Sequence, residues 1–349
     1  MKQFFKLSVK LYKDKEENDM RTKLISIIVI SLILGTLNIA SSAEHILKIA
    51  GIASPKQACM YAGVLFEQEV EKRSKGKIDV QFFHSAQLGG EVEILDKLKV
   101  GVLQGSLNSG LLISRIHPFA NVLELPYLFP NWEKVDVFVR SDLGSQVLDS
   151  LAKVDLKGLG YTSYGFHTLA TNKPFKSLDD LNKFKFRSAE AELSMDILKL
   201  LGISPTALPF AEVYQALRTG VIEGIDNTPN VIDLVKWGEV VKYVADTNHW
   251  FGWYVFLIKK SWLEGLPADL QKIIIEVGRE ACEQTMRMAQ EQHVEALAKF
   301  DKMGITLVKL SDDERTKFKR RLHPLHEKYG KAIGEDFLQK MYKLLDYKK

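Results

Sequence analysis

Two hydrophobic rhythms alternate along the first third of the chain. Leu47 to Ala53 is a short apolar run with the length of a strand. From Gln57 to Lys72, Ala58, Tyr61, Ala62, Leu65 and Phe66 recur at helical spacing. Lys77 to Phe83 alternates apolar and polar residues as a second strand. Glu91 to Val100 predicts a helix stopped near Gly101, and Gly105 to Ile113 a third strand. Strand, helix, strand, helix, strand in that order predicts an α/β architecture, a mostly parallel sheet covered by helices.

Glu124-Leu125-Pro126-Tyr127-Leu128-Phe129-Pro130 interrupts the pattern. A helix is predicted from about Trp132 to Ala152, and a strand from Lys157 to Tyr164. Gly165 to Pro174 reads as a crossing segment, and a second alternating set runs from Lys183 to about Val244. Within that set, Lys183-Phe184-Lys185-Phe186-Arg187 alternates as a strand and is followed directly by a helix-like run, Ser188 to Leu201. A strand end before a helix start is where α/β proteins hold small anions, so Arg187 is a candidate anion ligand. Gly252 to Lys259 is an aromatic strand. Pro267 to about Met303 is the longest helix candidate, and at 1.5 Å per residue it would extend on the order of 50 Å.

The N-terminus has a different character. Arg21 and Lys23 precede the apolar stretch Leu24 to Ala40, and the small residues Ser41-Ser42-Ala43 follow. This reads as a secretory signal over residues 1–43, with Glu44 as the mature N-terminus and Met20 as an alternative start. An uncleaved anchor is the competing reading, at the short limit for spanning a bilayer. Removing the seven basic and four acidic residues of this segment from the totals of 48 and 44 leaves 41 against 40. Such a balance provides no basic field for nucleic acid. Cys59 and Cys282 are the only cysteines. Both fall in helical patterns, which points to two buried thiols rather than a disulfide framework.

Catalytic signatures are missing. The chain has no G-x-S-x-G elbow, no phosphate loop and no H-E-x-x-H. His323-Pro324-Leu325-His326 lacks further metal ligands in sequence and is expected to be a surface helix turn. No metal or nucleotide cofactor is implied.

Several motifs in order resemble the solute receptors of tripartite ATP-independent periplasmic (TRAP) transporters, the DctP-like family. They are Ser85-Ala86-Gln87-Leu88-Gly89-Gly90, Leu125-Pro126-Tyr127-Leu128-Phe129, and Ser177-Leu178-Asp179-Asp180-Leu181 leading to Phe186-Arg187. Then come Pro209 to Leu217, Gly220-Val221-Ile222-Glu223-Gly224-Ile225-Asp226-Asn227, Thr247-Asn248-His249, and Trp262 to Leu270. The resemblance covers nearly all of residues 44–349. It implies a two-lobed periplasmic-binding-protein-like fold with a ligand cleft between the lobes and a long helix spanning both. The expected lobes are 44–164, to which about 253–292 returns, and 165–252, completed by about 293–349. The implied ligand is a small organic acid, and the implied partners are the membrane subunits of a TRAP permease.

By the same resemblance, the arginine that clasps a ligand carboxylate falls on Arg187 and the cleft asparagine on Asn227. A second cationic or polar position falls on His167, whose ordinary pKa near 6.5 leaves its charge conditional. Each has a competing structural reading. Arg187 could pair with Glu190, Glu192 or a remote acid, Asn227 could be a turn residue before Pro229, and His167 could make an interlobe hydrogen bond. Phe210, Trp250 and Trp253 are expected either against the ligand's carbon skeleton or in the core. Glu190 and Ser114 complete the candidate set. Glu212 and Tyr214 are expected to cap and pack. The first-lobe stretches Ile49 to Ala53 and Leu111 to Ser114 read as apolar walls, which disfavours a hydroxyl-rich sugar acid such as sialic acid. Two other classes stay open, a ligand sensor for a signalling ectodomain and a periplasmic hydrolase using His167.

Overall fold

The computed structural model describes residues 43–347. The expected signal segment and both candidate start methionines lie outside the described residues, apart from Ala43 itself. Eleven strands among the described residues form two sheets. They are β1 (His45–Ala50), β2 (Ile78–Phe83), β3 (Gly105–Ser109), β4 (Leu156–Phe166), β5 (Thr168–Thr171), β6 (Lys185–Ser188), β7 (Ser204–Ala207), β8 (Gly224–Asn227), β9 (Tyr243–Ala245), β10 (Phe251–Lys259) and β11 (Thr306–Val308).

The first sheet has the order β2-β1-β3-β10-β4 and the second β11-β9-β5-β8-β6-β7. β1, β2 and β3 run parallel as expected. β10 runs antiparallel to both β3 and β4, so the sheet is mixed rather than mostly parallel. β10 is buried over its whole length except Lys259, because both faces of the sheet are covered. The chain passes from the first sheet to the second at His167, between β4 and β5, and returns between β9 and β10.

The helix Ala268–Lys299 has 32 residues. It serves both sheets. Leu270, Ile274, Val277 and Cys282 pack with Leu47, Phe66 and Phe256 of the first core. At its far end Phe300 packs with Ala170, Val213 and Ile225 of the second. Cys59 and Cys282 are buried free thiols. No described helix is long and apolar enough to cross a membrane.

Three expected elements are divided. The strand from Gly105 stops at Ser109, and Gly110–Ile113 forms one helical turn. Gly110 leaves room at this turn for a buried carboxyl group, since a Cβ there would lie 2.4 Å from Glu124 Oε1. The helix expected from Trp132 breaks after Val139 and restarts at Asp142. Ser141 caps the new start, its Oγ accepting from the Gly144 amide at 3.1 Å. The helix expected from Ser188 begins at Glu192 instead. Ser194 holds the intervening turn, its Oγ accepting from the Ala189 amide at 3.2 Å and standing 2.9 Å from Ser188 Oγ. The helix N-terminus is therefore not adjacent to Arg187 in sequence.

His326 is a further correction. It is not on the surface but buried, bonded through Nε2 to the Pro126 carbonyl at 2.7 Å and through Nδ1 to Tyr342 Oη at 2.8 Å. The helix Pro324–Ile333 thus packs against the 118–126 segment as well as against the helix Glu192–Leu200.

Candidate functional site

Gly224 decides where Arg187 points. Phe186 and Gly224 are paired across β6 and β8. A Cβ on Gly224 would stand 2.5 Å from the Phe186 ring, so only glycine lets that ring lie on the strand. Phe186 is wholly buried on that face. Successive strand residues face opposite ways, and Arg187 therefore faces a cavity between the sheets.

Arg187 is 8% exposed. Its Nε donates to the Leu208 carbonyl at 3.0 Å. No described carboxylate lies within 4.0 Å of the guanidinium, so the expected alternative of a structural salt bridge does not occur. Glu192 pairs with Lys328 at 2.6 Å, and the Glu190 carbonyl accepts from Arg115 at 2.8 Å. Burial pulls the Arg187 pKa down. Tyr164, Asp226 and Glu91, felt at longer range, oppose that pull. A buried guanidinium without an anion is costly, and the cost is removed by a bound anion.

Asn227 ends β8 beside Thr168. Its Oδ1 accepts from the Thr228 amide at 2.8 Å, a turn role. Its side-chain nitrogen has no protein partner among the described residues and is available to the cavity it lines. The turn reading and the cavity position coexist in one side chain.

His167 stands where the chain changes sheets. Its Nδ1 is 2.6 Å from Asp226 Oδ1, and its ring stacks on Trp250 at 3.5 Å. Trp250 Nε1 donates to the same carboxylate at 3.1 Å, and His249 Nε2 lies 3.4 Å away. Burial lowers the His167 pKa to about 4, against the pull of Asp226. The ring is neutral at pH 7, with Nδ1–H donating to the carboxylate. Asp226 is itself held below the usual carboxylate range: burial would raise it, but His249 and His167 together pull it down. Gly252 makes room for this cluster, since a Cβ there would lie 2.5 Å from the Tyr164 ring and 3.1 Å from His167 Nε2.

The chamber lined by Arg187, Asn227, His167, Trp250 and Phe210 has a volume of about 50 Å³. At roughly 10–15 Å³ per water, that holds on the order of four waters. A second groove of about 370 Å³ shares Ile52, Glu91, Arg187, Ala189 and Phe210 with it. Phe210 also packs on Trp237 at 5.3 Å.

Not every candidate joins the chamber. Glu190 lines the outer groove only. Ser114 lies in a separate groove with Arg115 and Lys328, and its Oγ donates to the Leu111 carbonyl at 2.6 Å. Trp253 is fully buried among Phe129, Phe138 and Tyr161, a core aromatic. Glu212 makes no side-chain cap, while Tyr214 donates to Glu239 at 2.6 Å.

The first-half wall is more polar than its sequence suggests. Ile52, Ala53 and Leu111 line the chamber, but so do Gln57, Glu91, Ser109, Tyr164 and Tyr254. Glu91 accepts from the Ser109 amide. Burial raises its pKa, opposed first by Ser109 and then by Arg187. These residues belong to ordinary helix starts and strands, and only Asp226 lay inside a quoted motif. Polar residues at the starts of two helices facing one strand end were the only available signal.

Comparison with known proteins settles the family. The profile described as bacterial extracellular solute-binding protein, family 7 matches residues 49–332. The chain belongs to that family. Its members are transport solute-binding proteins, and this receptor is of the TRAP type. It is 28% identical over 306 residues to the C4-dicarboxylate-binding periplasmic protein DctP of Rhodobacter capsulatus, covering 86% of this chain and 91% of that one. It is 28% identical over 319 residues to the sialic acid-binding periplasmic protein SiaP of Vibrio cholerae, covering 89% and 97%. A TRAP periplasmic solute-binding protein of Shewanella oneidensis, solved with bound succinate, superposes with a TM-score of 0.82 at 25% identity, covering 87% of this chain and all of that one. The two-lobed periplasmic-binding architecture is thereby that of the receptor.

Proposed function

We propose that this receptor captures a small organic acid by its carboxylate on Arg187, with Asn227 donating a second hydrogen bond, and delivers it to TRAP permease subunits. The observation that carries the reading is the buried guanidinium facing the chamber without a protein anion. A planar guanidinium can meet a carboxylate with two parallel hydrogen bonds, which lysine cannot reproduce. His167 orients and buttresses the site through Asp226 rather than adding a second positive charge.

In this reading residues 44–164 with about 253–292 form one lobe, and 165–252 with about 293–349 the other. Closure brings Gln57, Glu91 and Ser109 against Arg187 and Asn227. The segment 1–43 directs export and is cleaved, so the receptor acts in the periplasm. It returns its ligand unchanged and is not an enzyme.

Calorimetric titration with a panel of organic acids tests the proposal. Arg187→Ala is expected to weaken the best ligand by about 2–5 kcal/mol, roughly 30- to several-thousand-fold. An unaltered affinity in that variant would refute the anchor.

A further inference from the structure

The chamber's charges constrain the other end of the ligand. Arg187 is the single cation of its lining, and two acids, Asp226 and Glu91, share that lining. Asp226 is committed to His167 and Trp250. Glu91 uses one oxygen on the Ser109 amide, and no described cation lies within 4.0 Å of it. On the same lining, Gln57 Nε2 is buried with no hydrogen-bond partner among the described residues. Gln57 is 2% exposed.

The first-half wall therefore presents the Glu91 carboxyl group and the unpartnered Gln57 amide donor to the same chamber. A second ligand carboxylate offers only acceptors and adds a negative charge where no cation answers it. A ligand hydroxyl fits differently, because it donates to Glu91 and accepts from Gln57 Nε2 with no charge added. We infer that the ligand is a hydroxy acid, its carboxylate on Arg187 and a hydroxyl remote from it between Glu91 and Gln57. This rests on the carboxylate reading above, and it separates the receptor from relatives named for dicarboxylates.

The test uses pairs of acids of equal length, from three to six carbons. Each pair ends in either a hydroxyl or a second carboxylate, as in 4-hydroxybutanoate and succinate. Calorimetric titration of the purified receptor at pH 7.5 is expected to favour the hydroxy acid by about tenfold or more in each pair that binds. Glu91→Gln keeps the shape and removes the charge, and should shrink that ratio by about tenfold. Dicarboxylates bound as tightly as their hydroxy partners would overturn the proposal, as would an unchanged ratio in a folded Glu91→Gln. If that variant fails to fold by circular dichroism, the native ratios alone decide. Preference for dicarboxylates that still depends on Arg187 sinks only this inference. If no acid binds, the carboxylate reading fails with it.

Discussion

Asp226 holds His167 at 2.6 Å at the point where the chain leaves one sheet for the other. The carboxylate also accepts from Trp250, on the segment that makes the return crossing. One buried side chain thus ties these two of the three crossings to the strand that ends in Asn227. Asp226→Asn retains the shape and loses the charge. A hydrogen bond to a charged group contributes about 1.5–3 kcal/mol, and the variant should lose that much stability in urea titration at pH 7. Ligand affinity should fall too, because His167 and Asn227 are no longer fixed. A native urea midpoint would show that the cluster is not holding the crossings.

Acid should loosen the fold through its buried histidines. The pKa of His167 and that of His293 are each lowered to about 4, mainly by burial. An unfolded histidine titrates near 6.5, so between pH 6.5 and 4 the unfolded chain binds more protons than the folded one. Stability from each group is therefore complete above pH 6.5 and lost as pH falls toward 4, at up to about 1.4 kcal/mol per unit. His293 lies outside the ligand chamber, packed on Trp132 and Phe166. His293→Gln should make the slope of stability against pH in that window shallower, by up to about 1.4 kcal/mol per pH unit. An identical slope in the variant would assign the acid sensitivity elsewhere.

The placement of Arg187 was legible because strand alternation is local. Phe186 must take one face, so Arg187 takes the other. The long helix was legible for the same reason, with Pro267 at its start and Gly304, in the left-handed region at φ 68°, beyond its end. Gln57, Glu91 and Ser109 were not legible. Each is unremarkable in its own segment, and only the parallel pairing of β1 with β2 and β3 brings their ends to one edge. Ser114 was misplaced because the strand expected through Ile113 stops at Ser109 and Gly110–Ile113 forms a helical turn. His326 was misjudged because its partners, Pro126 and Tyr342, are 200 residues upstream and 16 downstream.

Gly252 tests whether the shape of the site is as tightly set as its charges. A methyl group there would meet the Tyr164 ring at 2.5 Å and His167 Nε2 at 3.1 Å. Neither ring can yield freely, since His167 is stacked on Trp250 and Tyr164 packs edge-on to Tyr254 at 5.3 Å. Gly252→Ala should cost about 1–3 kcal/mol by overpacking. Affinity should fall with it, as His167 is pushed toward the chamber. A variant with native stability and affinity would mean that the cluster accommodates the methyl group by a shift of the strand.

His326 offers a test remote from the ligand. Its two ring nitrogens bridge the Pro126 carbonyl and Tyr342 Oη inside the protein. The buried ring lies against Tyr342 at 5.6 Å and stacks on Tyr347 at 4.7 Å, so water cannot replace either bond without opening this packing. His326→Ala removes both bonds and leaves a cavity, an expected loss of about 2–4 kcal/mol. Because the bonds tie the C-terminal helices to residues 118–126, the loss should be regional before it is global. Hydrogen exchange should quicken first in 324–344, with the Arg187 strand protected as in the native chain. Uniform acceleration across both sheets would instead make these helices part of one cooperative unit with the ligand chamber.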